Sequence, residues 1–98
     1  MTEANVCGNS SLVCKPLGNL DWAAAMSLRQ VVRKSLQPGF ELVIDLSRVG
    51  SIDAVGMQTL VCCLRLARAF GCTARICNVR PPVRRLMDLV GVDRLLLR

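Results

Sequence analysis

Three short apolar runs, SLVCKPL (11–17), FELVIDL (40–46) and TARICNV (73–79), recur about 30 residues apart, and a helical pattern stands between each pair. Strands joined this way are not hairpin partners. A helix between two strands is long enough to cross over a sheet and bring the second strand in parallel to the first. The chain therefore reads as a single α/β domain, a mixed and mostly parallel β-sheet with crossover helices. Its 98 residues allow one core. A chain of this size buries roughly 60–70% of the surface its unfolded form exposes, so it needs no covalent staples. With 52% apolar but only 3% aromatic residues, that core has to be aliphatic.

Capping signals fix the helices. Asp21 is placed to cap a helix from Trp22 with Leu28, Val31, Val32 and Leu36 on one side, closed by Gln37-Pro38-Gly39. Asp53 caps a second helix with Met57, Leu60, Val61, Leu64 and Ala67 inward, and Gly71 suits the left-handed position past its end. Pro81 opens a third, with Val83, Leu86, Met87 and Val90 on one side and a stop at Gly91. GNLD (18–21) reads as a turn and SRVGSID (47–53) as a tight loop. Pro16 marks an edge strand or a strand end. FELVIDL, almost continuously apolar, is expected to be covered on both faces. Residues 1–10 form a weak N-terminal strand or a disordered start, and LLL (95–97) a short edge strand.

Composition excludes several kinds of chemistry. There is no histidine, so Cys/His zinc sites and histidine triads are ruled out, and no C-x-x-C pair exists among the six cysteines. Cys62 and Cys63 point about 100° apart on a helix. The six thiols are expected to be reduced and mostly buried; a redox-responsive pair is the alternative. No run approaches the roughly 20 apolar residues of a membrane span, and MTEANVCGNSS lacks the regions of a secretory signal. A cytoplasmic protein without membrane insertion is expected. No glycine-rich phosphate cradle occurs, no acid, base and nucleophile converge, and no cofactor is expected. The net charge of +6 is spread over helices, with Arg29, Arg33 and Lys34 on the first, Arg65 and Arg68 on the second, and Arg84 and Arg85 on the third. Without interleaved aromatics, this pattern favours solvated faces or an acidic protein partner over direct contact with nucleic acid.

GNLD before a helix, LVIDLSRVGSIDAVGMQTLVCCLRLARAFG, and PPVRRLMDLVGVDRLL together resemble the STAS domain of sulfate transporters and anti-sigma factor antagonists, over residues 12 to 97. The nearest branch is the free-standing anti-sigma factor antagonist. The resemblance implies that the segment after the central strand docks on an anti-sigma factor of kinase-type fold, and that binding frees the sigma factor. In the family this segment reads D-S-S-G-L or D-T-S-G-L, and its first hydroxyl residue is phosphorylated by the partner. Here Asp53 matches the Asp, Ala54 the acceptor, Val55 the next position and Gly56 the Gly. Gly18, Asn19, Leu20 and Asp21 match the family's G-E-L-D, with Asn for Glu. The chain also stops near the last strand, where many relatives continue into a C-terminal helix.

Alanine cannot accept phosphate, so the resemblance implies a switch that is absent or moved. Ser51, Thr59 and, more remotely, Ser47 are the alternative hydroxyls. The expected partner-binding residues are Asp21, Ser51, Asp53, Ala54, Val55, Gly56, Gln58 and Thr59, with Met57 in the core. Gly56 either admits a partner's backbone or lets helix and sheet pack closely. A STAS subunit on the ATPase of an ABC-type lipid transporter, or a redox- or ligand-sensing module, are the other readings. No residue is expected to be catalytic or to hold a metal.

Overall fold

The computed structural model describes residues 2–8 and 10–89. Its elements run β1 (Thr2–Cys7), β2 (Ser11–Pro16), β3 (Gly18–Leu20), α1 (Trp22–Ser35), β4 (Glu41–Asp45), β5 (Val49–Ile52), α2 (Ala54–Ala69), β6 (Thr73–Cys77) and α3 (Pro81–Leu89). The main sheet has the order β1-β2-β4-β6. β2, β4 and β6 are parallel, with Val13 beside Val43 and Val43 beside Arg75. β1 joins antiparallel, Thr2 opposite Pro16 and Cys7 opposite Ser11. The single-domain, mostly parallel α/β architecture is the one the alternation dictates.

Both crossovers step in the same direction across the sheet, so right-handed connections place α1 and α2 side by side on one face. The packing agrees: α1 lies against α2, β1 and β2, and α2 against β6. Leu12 and Cys14 of β2, Leu42 and Ile44 of β4, Leu28 and Val32 of α1, Leu60 and Leu64 of α2, and Val83 and Met87 of α3 form one aliphatic cluster.

One expectation needs correction, and two that were open are resolved. Residues 2–7 form a strand, because the antiparallel ladder to β2 supplies the backbone partners that this polar stretch does not advertise. β2 is therefore interior, and Pro16 sits at its end. GNL and VGSI are strands rather than turn and loop: β3 and β5 pair in parallel as a separate two-stranded sheet. Leu42, Val43 and Ile44 of the central strand are all buried, so both of its faces are covered, as its apolar run implies. Val43, on the face away from Leu42 and Ile44, lies outside the main cluster yet is buried, with half-buried Val13 and exposed Arg75 as its strand neighbours. The expected strand at 95–97 and the helix end at Gly91 lie outside the described residues.

Candidate functional site

The small β3–β5 sheet sets the site. Its strands end at Leu20 and Ile52, and the next residue of each is the N-cap of a long helix. Asp21 accepts a hydrogen bond from the Ala24 N–H at 3.1 Å, and Asp53 accepts one from the Gly56 N–H at 2.8 Å. Each carboxylate thus satisfies an orphan donor and lies at the positive end of a helix dipole. The pairing of β3 with β5 holds the two helix starts side by side. Ser51 donates its hydroxyl proton to Asn19 Oδ1 at 2.7 Å, tying the strands together at the surface. Asn19, Leu20, Asp21, Ser51, Ile52 and Asp53 enclose a hollow of about 230 Å³ between the helix starts.

Across the Asp53–Ala54 ridge lies a second depression of about 500 Å³, between α2 and α3. Apart from Asp53 and Gln58 its lining is apolar: Ile52, Ala54, Met57, Val61 and Leu86. The first turn of α2 therefore stands between a polar hollow and an apolar groove, and Ile52 and Asp53 border both. Exposed apolar side chains stand at both helix starts. Val55 is 40% exposed, and Trp22, the chain's single tryptophan and the first residue of α1, is 65% exposed.

The expected partner-binding residues divide by orientation. Asp21, Ser51, Asp53, Ala54, Val55 and Gln58 are exposed around the ridge. Gly56 and Thr59 are buried on the inner side of α2, with Met57. The close approach at Gly56 is internal: a Cβ there would collide with the Leu20 carbonyl oxygen and stand 2.9 Å from Ile52 Cγ1. Thr59 is 6% exposed, so its hydroxyl is not presented at the surface. Ser47 lies in the turn after β4, where its N–H is held by Asp45 Oδ1 at 2.8 Å, and it borders neither depression.

Trp22, Val61 and Leu86 are additions that sequence reasoning missed. A lone tryptophan at a helix start, off the apolar stripe, was the available signal for Trp22. Leu86 was counted with the apolar side of its helix, and its place beside α2 depends on how α3 packs. Among the described residues, no three His, Cys, Asp or Glu side chains gather where they could hold a metal ion. No helix among them is long and apolar enough to cross a membrane. Asp21 and Asp53 both cap helices, and the site around them offers shape, apolar surface and a few hydrogen-bonding groups.

No curated protein matches this sequence significantly. Among solved structures, the anti-sigma factor antagonist SpoIIAA in its unphosphorylated form superposes with a TM-score of 0.80 at 17% identity, over 99% of this chain and 86% of that one. A sulfate transporter family protein from Wolinella succinogenes gives a TM-score of 0.81 at 18% identity, over 94% and 75% of the two chains. An anti-sigma factor antagonist from Mycobacterium paratuberculosis is 26% identical, with a TM-score of 0.75 over 98% and 81%. The profile of the family described as "Mlab, STAS domain" matches residues 15–98, nearly the whole chain. The protein belongs to the STAS domain family.

Proposed function

We propose that this chain is a bacterial, cytoplasmic anti-sigma factor antagonist, which binds an anti-sigma factor of kinase-type fold through the Asp53–Ala54 ridge and so frees the sigma factor. The observation that carries this reading is the ridge itself, an exposed helix start, capped by Asp53 and opened by the methyl of Ala54, flanked by a polar hollow and an apolar groove. Such a surface offers a partner an apolar anchor point ringed by hydrogen-bonding groups, the composition of a binding hot spot. The likeness to two anti-sigma factor antagonists supports the choice of partner. Ala54 lacks a hydroxyl, so covalent control at this position is absent and binding is constitutive unless Ser51 has taken over the acceptor role. Ser51 is exposed but hydrogen-bonded to Asn19.

The test is competition. Added to a purified anti-sigma–sigma complex from the same organism, the protein should release the sigma factor stoichiometrically, and Val55→Asp should not. Incubation with the anti-sigma factor and ATP, followed by intact-mass measurement, should leave the antagonist's mass unchanged. A phosphoryl adduct at Ser51 would show that control has moved. A second reading is transporter-linked: the matching family model is described as "Mlab, STAS domain", and STAS domains of transporters share the fold. In it, the same ridge docks on the ATPase of an ABC-type transporter. Binding to that ATPase with no effect on the anti-sigma complex would favour the second reading.

A further inference from the structure

Charge is divided unevenly over the molecule. α1 and α2 together carry Arg29, Arg33, Lys34, Arg65 and Arg68 and no acidic residue. All five are exposed, and none forms an ion pair with a described residue. The two ion pairs among the described residues, Arg48–Glu3 at 2.8 Å and Arg75–Glu41 at 3.5 Å, use other bases. Part of this pattern is local. Arg33, Lys34 and Arg68 lie in last turns, where a cation offsets the negative end of the helix dipole. Arg29 and Arg65 lie further back, and no capping role accounts for them.

The surface around Arg29 is concave. Arg29 and Arg33 border a hollow of about 270 Å³ between α1 and α2, completed by Cys62, Cys63 and Leu66. The same two arginines, with Met26, Gln30 and Lys34, border another of about 540 Å³. Arg65 and Arg68 line neither hollow, so Arg29 and Arg33, with Lys34 beside them, are the charges of this face. We infer that this two-helix face is a second docking surface, independent of the ridge, which receives an acidic helix of a protein partner. The charges are complementary, and guanidinium groups bind carboxylates in bidentate fashion. The hollow is lined by Leu66 and Cys63 together with the two arginines, which suits a glutamate: its methylenes would lie against the apolar lining while its carboxylate meets Arg29 and Arg33. A flat bilayer would touch only the crests of such a surface. Single-stranded nucleic acid needs stacking platforms, and no aromatic residue lines either hollow.

The probe is a synthetic helical peptide of roughly 20 residues with Glu at i, i+4 positions beside Leu, labelled for fluorescence anisotropy and titrated with the full chain at low and physiological salt. A Gln-for-Glu peptide, phosphatidylglycerol vesicles and a short DNA duplex run in parallel. The Glu peptide should bind at least ~10-fold more tightly than the Gln peptide. Arg29→Glu/Arg33→Glu should lose that margin, whereas Arg84→Glu/Arg85→Glu, with the same change in net charge on α3, should keep it. Val55→Asp should also keep it, which separates this surface from the ridge. If the reversal variant fails to fold, Arg29→Gln/Arg33→Gln makes the same comparison. Equal losses in the α1 and α3 variants, tighter binding of vesicles or duplex than of peptide, or no binding at all would each overturn the inference.

Discussion

Ala54 opens α2 with a methyl group facing solvent at the ridge between the two depressions. Replacing it with glutamate keeps the helix start sound, because a carboxylate is favourable there. It puts an uncompensated charge where a partner must exclude water. Ala54→Glu should therefore weaken binding to the anti-sigma factor at least tenfold, about 1.4 kcal/mol, in a calorimetric titration, with folding unaffected. Unchanged affinity would place the contact elsewhere. Under the proposed function, Ala54→Ser should bind like the parent until it is phosphorylated; a phosphate would add −1.5 to −2 charges and should release the partner. Trp22 gives a second check. With 65% of its surface exposed, Trp22→Ala should change stability by less than about 0.5 kcal/mol but reduce partner affinity by about 2 kcal/mol, and the indole emission of the parent should shift to the blue on binding. The aspartates were legible as caps because a cap is a local pattern. That Gly56 and Thr59 face inward while Gln58 faces out follows from how α2 is rotated on the sheet.

Among elements, α2 approaches β3 closely at Gly56. Gly56→Ala would gain up to ~1 kcal/mol in helix propensity, but the new methyl meets a backbone oxygen, which cannot turn aside. The collision should prevail, with a net loss of roughly 1–3 kcal/mol in urea denaturation. Asp53→Ala removes only the cap and should cost about 1 kcal/mol. A Gly56→Ala protein as stable as the parent would show that α2 can slide away from Leu20. The two strands behind this junction, GNL and VGSI, were read as turn and loop for a physical reason. They have three and four residues, mostly small or polar, and each becomes a strand only because the other lies beside it. By contrast, the three helices and the strands β2, β4 and β6 were legible, since each carries its own periodicity or apolar run.

At the scale of the whole molecule, burial makes stability depend on alkaline pH. Burial, with a smaller contribution from Cys63, pushes the Cys14 thiol up to about 12; burial, with Cys62 adding to it and Arg29 opposing, pushes Cys63 to about 11. Unfolded, both would ionise near the ordinary value of 9.0. Between that pH and the folded values the unfolded chain releases protons that the folded chain retains, so stability is full below about pH 9 and falls as pH rises toward 11 to 12. The slope is roughly 1.4 kcal/mol per pH unit for each thiol. Urea midpoints measured across this range should fall, and Cys14→Ala should flatten the fall. At neutral pH a thiol reagent should label exposed Cys7 and Cys62 quickly and buried Cys14, Cys63 and Cys72 only on unfolding. The sequence alone determined the layered α/β class, the helix starts at Asp21 and Asp53 and the aliphatic core, because these rest on short-range periodicity and capping. Only the tertiary structure decided that the two helix starts meet, that a ridge lies between a polar hollow and an apolar groove, and that Arg29 and Arg33 of α1 border a hollow with Cys62, Cys63 and Leu66 of α2. Each of these depends on residues some thirty positions apart being brought together by strand pairing, and no local pattern encodes which strands pair.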